Sequence, residues 1–200
     1  MTSYTGISEL NLATDNQSWE SAQKPIFAEL IEAIKPKHII EVGSWKGVSA
    51  MKMAVLGMPH GTHIHCVDTW LGSCEHFLGG DALPRDKWGY PRLFHQFLTN
   101  VQAAGLQDFI TPYPMCSNDG ARYLKHLGVT AKMAYIDGDH SHEGCYNDCV
   151  HYWPLVEPGG VMFGDDMEVF SSVKSAVVRF AGERDLPCMT HDGFWMFKKG

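Results

Sequence analysis

A doubly wound α/β fold is predicted for this chain by two observations. Short β-branched or apolar runs alternate with stretches of helical periodicity, and most runs end in polar or glycine-rich residues. Alternation of this kind builds βαβ units and a parallel sheet covered by helices on both faces. The 200 residues suit one domain, since about 100–200 residues is the usual size.

The elements follow in order. Trp19–Ile34 carries Ile26, Phe27, Leu30, Ile31 and Ile34 at helical spacing and stops before Pro36, so residues 1–35 read as an N-terminal helical extension. His38–Val42 reads as a buried strand, Val48–Leu56 as a helix and His63–Val67 as a second strand. Leu71–Arg92, rich in Gly, Pro, Trp and charge, is too long for an ordinary connection and reads as a lid-like insertion. Leu93–Ala104 is helical, Phe109–Pro114 extended, Asp119–Leu127 helical, Ala131–Ile136 extended and Ser141–Val150 helical. A Pro158-Gly159-Gly160 turn opens a strand at Val161–Phe163, and Val169–Ala181 is the last helix. Cys188–Thr190 and Phe194–Phe197, joined by His191-Asp192-Gly193, form a closing antiparallel pair. The sum is a Rossmann-like, mostly parallel seven-stranded sheet whose last strand is antiparallel.

Composition narrows the function. A net charge of −7 and the lack of a Lys/Arg cluster disfavour nucleic acid, which is bound by displacing counterions with basic surface. No apolar run nears the roughly 20 residues that span a bilayer, and Met1–Leu12 lacks a basic and apolar leader. A cytoplasmic protein acting on a small molecule is expected, with self-association left open. Six cysteines in a chain of this length are not a disulfide framework. Cys66, Cys116 and Cys188 lie in apolar strand-like contexts. Cys145 and Cys149, with His142 upstream, lack the paired spacing of a zinc site.

A doubly wound sheet binds ligands beyond the carboxyl ends of its strands. The first strand ends Glu41-Val42-Gly43-Ser44-Trp45-Lys46-Gly47, whose glycines permit a tight turn facing a helix start. It lacks the third glycine of a pyrophosphate clamp and the Gly-Lys-Ser/Thr of a P-loop, and Glu41 favours a cationic ligand over phosphate. Asp68, at the end of the second strand, is placed to accept both hydroxyls of a ribose, or to cap a helix. Ser117-Asn118-Asp119 can hydrogen-bond an adenine edge or cap the next helix. The fourth and fifth strands end in Asp137-Gly138-Asp139-His140 and Gly164-Asp165-Asp166. Asp137, Asp165 and Asp166 on one rim would repel one another, and a divalent cation such as Mg²⁺, Mn²⁺ or Ca²⁺ removes that conflict.

YIDGDHSHEG, GGVMFGDD and CVDTWLG resemble the class I S-adenosylmethionine-dependent methyltransferases, in particular the metal-dependent O-methyltransferases related to macrocin/TylF sugar methyltransferases and, more distantly, catechol O-methyltransferase. The resemblance runs from Ile39 to about Asp166. It implies that Glu41, Gly43 and Ser44 hold the methionine end of S-adenosylmethionine, with Ser49 near its carboxylate. It places Asp68 on the ribose, and Trp70, Ser117 and Asn118 around the adenine. It assigns Asp137, Asp165 and Asp166 to the metal and His140 to the general base. An imidazole with an ordinary pKa of about 6.5 can take a proton at neutral pH. The acceptor expected is a small diol-bearing molecule, a sugar or catechol-like ring, with Arg85, Trp88 and Tyr90 of the insertion closing over it. A second resemblance, to cephalosporin hydroxylases, would make Asp137, His140 and His142 an iron site, although His140 and His142 diverge when two apart on a helix start. A cofactor-binding protein without catalysis is the third reading.

Overall fold

A computed structural model of the protein describes residues 3–15, 25–78 and 83–200. Its strands are β1 (His38–Val42), β2 (His63–Asp68), β3 (Ile110–Pro114), β4 (Ala131–Ile136), β5 (Val156–Gly164), β6 (Met189–His191) and β7 (Phe194–Lys198). They form one sheet in the order β3-β2-β1-β4-β5-β7-β6. β1 pairs in parallel with both β2 and β4, while β7 runs antiparallel to β5 and to β6. This is the predicted Rossmann-like, mostly parallel arrangement with its antiparallel strand.

Seven α-helices accompany the sheet among the described residues: α1 (Ile26–Ile34), α2 (Val48–Gly57), α3 (Cys74–Leu78), α4 (Leu93–Ala103), α5 (Ser117–His126), α6 (His142–Tyr152) and α7 (Ser171–Arg184). None is long and apolar enough to cross a membrane. Side chains alternate across each strand, so the sheet has two apolar faces. Helices α1, α2 and α4 cover Ile39, Ile64, Met133, Tyr135 and Phe163. Helices α5, α6 and α7 cover Ile40, Val42, Val67, Ala134, Ile136 and Met162. Phe27 of α1 centres the first layer, meeting Tyr135 edge-on at 5.2 Å and both Phe163 and Phe194 at 6.0 Å.

The structure differs from the sequence reading in several places. Pro158-Gly159-Gly160 does not precede β5 but forms a bulge within it: Ala131 pairs with Val156, and Met133 already pairs with Val161. Gly159 takes φ +76°, and a Cβ on Gly160 would lie 2.6 Å from the Lys132 carbonyl oxygen. Backbone bonds to Lys199 tie the bulge to β7, which is why the strand continues through three residues that read as a turn. Helix α5 begins at Ser117, with Cys116 as its cap residue. Cys116 and Cys188 are exposed, whereas Cys66, Cys145 and Cys149 are buried. The expected N-terminal helix is described from Ile26 onward, and its part before residue 25 lies outside the described residues. Of the insertion, 79–82 likewise lies outside them.

β1, β2 and β3 carry a chain of side chains centred on the buried imidazole of His65. Tyr113 Oη lies 3.0 Å from His65 Nδ1, and His65 Nε2 lies 3.1 Å from His38 Nδ1. Burial, with His63 and His38 adding repulsion, pushes His65 down to about 3. The unfolded chain therefore takes up a proton near pH 6.5 that the fold refuses, so stability falls as the pH drops from about 6.5 toward 3 and is unaffected above. His65→Gln should flatten this acid limb, which amounts to a few kcal/mol in wild type, in urea titrations run at pH 4 and pH 7.

Candidate active site

The carboxyl ends of β1, β2 and β4 converge on the turn after β1. Gly43 has φ +85°, and a Cβ there would sit 1.9 Å from the Asp137 carbonyl oxygen. Gly43 N donates to Val67 O at 2.9 Å, and Asp137 N donates to Val42 O at 2.8 Å. Only glycine fits this crossing, and it lets the turn pass directly against the end of β4.

Two acids organise the turn, Glu41 fully buried and Asp68 half-buried. Glu41 accepts from Ser44 Oγ at 2.5 Å and from Ser49 Oγ at 2.6 Å, with Cys66 Sγ at 3.4 Å. Burial outweighs these bonds and raises its carboxyl to about 7. Asp68 Oδ2 accepts from the backbone N–H of Ser44 and of Trp45, both at 2.9 Å, and Oδ1 from that of Trp70 at 2.7 Å. Burial pushes Asp68 up as well, against the pull of those donors. Glu41, Gly43, Ser44, Ser49 and Asp68 are thus gathered around one turn, and Asp68 clamps its backbone.

Trp70 is a correction. It has φ +51° and lies in the core, 1% exposed, against Phe94 at 4.9 Å and Phe97 at 4.7 Å. Its Nε1 donates to Trp45 O at 2.7 Å. A ring held this way supports the turn from below rather than lining an adenine pocket. Ser117 and Asn118 stand at the start of α5, half-buried and exposed respectively. The Ser117 hydroxyl donates to the carboxylate of Asp148, and Tyr152 Oη donates to Ser117 O at 2.9 Å.

The acidic rim lies at the ends of β4 and β5. Asp137, His140 and Asp166 each offer a ligand atom, all within 4.8 Å of one another. His140 Nε2 is 3.0 Å from Asp166 Oδ2 and 3.9 Å from Asp137 Oδ1, while Tyr135 Oη donates to Asp137 Oδ2 at 2.9 Å. Asp166 adopts φ +66°, a strained conformation for a non-glycine residue that turns the chain at the rim. Asp165 is not a member of this cluster, and its Oδ1 accepts from Asp166 N at 2.8 Å. His142 is also outside it: its Nδ1 meets Ser175 Oγ at 2.6 Å on the flank of α7, so the two-histidine iron site is not assembled. The two carboxylates, Asp137 and Asp166, fit a divalent cation that prefers oxygen ligands, and the His140 ring stands beside them.

Electrostatics give His140 a specific state. Burial pulls its pKa down, but Asp137 and Asp166 outweigh burial and hold it up at about 10. Asp137 itself rises to about 6, chiefly through burial. His140 is therefore an imidazolium bridging two carboxylates, stacked on Phe170 at 4.5 Å, with its carbonyl accepting from Ser172 Oγ at 2.6 Å.

The insertion contributes α3 and a tight turn. His76 stacks on Trp45 at 4.0 Å, joining the insertion to the glycine turn. Asp86 Oδ1 accepts from Trp88 N at 2.9 Å and Tyr90 N at 2.8 Å, so both rings project outward, 80% and 63% exposed. Arg85 donates to Gly89 O at 2.8 Å and lies over Phe77.

Sequence reasoning missed three supports. Lys46, within the glycine turn, is 2% exposed and pairs with Asp15 at 2.6 Å. Asn100 on α4 ties Asp15 O at 2.7 Å to Lys46 O at 2.8 Å. Asp148 shares the buried stripe Cys145, Asp148, Cys149 and Tyr152 of α6, and an acid at a core position of a helix was its signal.

In protein freed of metal by chelation, Asp166→Asn should bring the titration of the His140 ring, followed by NMR, down from about 10 toward its ordinary range. An unchanged titration would show that Asp166 does not hold that proton.

The profile of the family described as "Methyltransferase domain" matches residues 40–167. The O-methyltransferase from Bacillus cereus, solved in complex with SAH, is 18% identical, with 97% of this chain and 87% of that chain covered at a TM-score of 0.67. TomG from Streptomyces achromogenes, an O-methyltransferase of tomaymycin synthesis solved with SAM, is 13% identical, with coverage of 96% and 86% and a TM-score of 0.64. The SAH-bound methyltransferase PaMTH1 of Podospora anserina is 13% identical, with coverage of 93% and 81% and a TM-score of 0.66. At such identities the likeness is one of fold. No curated protein matches the chain in sequence. The family profile spans more than half of the chain, from within β1 to just past the acidic rim, and the protein belongs to the methyltransferase-domain family.

Proposed function

We propose that this methyltransferase transfers the methyl group of S-adenosylmethionine to a hydroxyl of a small diol-bearing acceptor, a sugar or a catechol-like ring, with the help of a divalent cation. The observation that carries the reading is the shared wall between the two halves of the site. Asp137, the first acid of the rim, is bonded through its backbone to β1 and packs against Gly43 of the turn between Glu41 and Asp68. A methyl donor on that turn and an acceptor at the rim would meet across one residue's width, the proximity that an in-line displacement needs.

Glu41, Ser44 and Ser49 supply a carboxyl and two hydroxyls for the amino-acid end of the donor, and Asp68 an acid for its ribose. Ser117 and Asn118 supply polar groups for the adenine. Asp137 and Asp166 would hold the cation, with Asp165 beside them and the His140 ring within reach. A cation there would orient two vicinal hydroxyls and lower the pKa of the one attacked. His140 is the group that takes the acceptor's proton. In the ligand-free arrangement it already carries one, held by the two carboxylates. Neutralising those carboxylates removes the hold, so proton acceptance by His140 is coupled to occupancy of the acidic rim.

Calorimetric titration with S-adenosylmethionine should show micromolar binding, and its absence would end the methyltransferase reading of these residues. With a catechol or sugar diol, turnover should vanish in excess chelator, return with Mg²⁺ or Mn²⁺, and fall at least a hundredfold in Asp166→Ala. A chelator-insensitive enzyme would remove the cation from the mechanism. His140→Ala should lose turnover by about 10²–10⁴ while keeping donor affinity, and unchanged turnover would remove it as the base.

A further inference from the structure

Asp148 has no part in the reaction as described, yet it is a carboxylate only 3% exposed on a helix stripe that is otherwise cysteine and tyrosine. Such a group is costly to bury and needs a partner. Its partner is the hydroxyl of Ser117, at the first turn of α5. On its other side Asp148 lies against Gly138, where a Cβ would come within 3.1 Å of Asp148 Oδ2. One helical turn on, Tyr152 Oη holds the Ser117 carbonyl at 2.9 Å, so both backbone and side chain of Ser117 are fixed from α6.

This arrangement has a directional consequence. An ionised carboxylate can only accept, and a serine hydroxyl has one proton to give. Ser117 gives its proton inward to Asp148, so its oxygen has only lone pairs left for any other partner. We propose that Asp148 sets the base specificity of the cofactor site: by committing the Ser117 hydroxyl inward it makes that residue an acceptor, which suits the exocyclic amine of a 6-aminopurine and rejects the carbonyl of a 6-oxopurine. The inference rests on the reading that Ser117 faces the adenine. Asp148 is a positioning residue, acting through Ser117.

The polarity is reversible. Burial, opposed by the Ser117 bond and reinforced by the negative charge of Asp139, raises the Asp148 carboxyl to about 7. The other titratable groups facing it are Tyr152 and Cys149 on α6. Burial raises Tyr152, and the Cys145 contact together with burial raises Cys149, so both stay neutral around pH 7. Once protonated, Asp148 can donate to Ser117, whose own proton is then free to point outward.

The test compares S-adenosylhomocysteine with its deaminated analogue S-inosylhomocysteine, which differ only in the base. The ratio of their affinities cancels effects at Glu41 and Asp68, which meet the part the two ligands share. At pH 8 the wild type should bind the deaminated analogue roughly tenfold to a hundredfold more weakly. Asp148→Asn, which keeps the packing, should reduce that ratio severalfold while still binding S-adenosylhomocysteine. In a Ser117→Ala background the same change should have no further effect on the ratio. In wild type alone, the ratio should shrink as the pH falls from 8 to 5.5. A ratio unchanged in Asp148→Asn, altered equally without the Ser117 hydroxyl, or flat with pH would overturn the inference. Equal wild-type affinity for both ligands would overturn it too while leaving the cofactor reading intact. Binding of neither would overturn the cofactor reading itself.

Discussion

The structure depends on the crossing of β1 and β4 at Gly43. The turn after β1 passes so close to the end of β4 that a single methyl group would overlap the Asp137 carbonyl. Everything around the crossing is set by it. The turn can bring Ser44 and Trp45 N–H groups onto Asp68 only because Gly43 adopts a positive φ, and β4 delivers Asp137 to the rim only because nothing projects between the strands. Strand order reverses at this point: β2 and β3 lie to one side of β1, and β4 and β5 to the other. That is where a doubly wound sheet opens a crevice.

Around the crevice the chain concentrates carboxyl groups that a core would ordinarily exclude. Glu41, Asp68, Asp137 and Asp148 are all raised by burial, and each is compensated differently. Two serines serve Glu41, three backbone N–H groups serve Asp68, a tyrosine and an imidazolium serve Asp137, and one serine serves Asp148. The solutions differ in what they leave available. Backbone donors leave Asp68 with unused lone pairs, whereas in the ion triad of Asp137, His140 and Asp166 one imidazolium offsets only one of two carboxylates and leaves a negative charge for a stronger cation to compete for.

Much of this was legible in the sequence because strand ends in this fold coincide with breaks in apolar runs. Asp68 and Asp137 stand at the ends of their buried segments and Glu41 one residue before the end of β1, so the strand reading and the doubly wound topology together put all three at one edge. The bulge in β5 was not legible, since Pro158-Gly159-Gly160 has the composition of a turn, and only pairing with β4 and Lys199 keeps it in the sheet. Trp70 was misplaced for a related reason: adjacency to Asp68 says nothing about direction, and a positive φ sends its ring into the core. The substitution of His140 for Asp165 in the rim cluster depends on rotamers and on the left-handed Asp166, neither of which a linear pattern encodes. Lys46 reads as a surface lysine until Asp15 and Asn100 are seen to enclose it.

The antiparallel β7 has a consequence for synthesis. It is inserted between β5 and β6, so β6 has no neighbour in the sheet until a later segment arrives to separate it from β5. A ribosome-bound chain that has finished β1–β5 presents β5 as a naked edge, with Phe163 on one side and Met162 on the other awaiting Phe194 and Phe197. Unpaired apolar edges are templates for intermolecular pairing. Between the emergence of β5 and the docking of β7, this edge is therefore open to intermolecular pairing and chaperone capture.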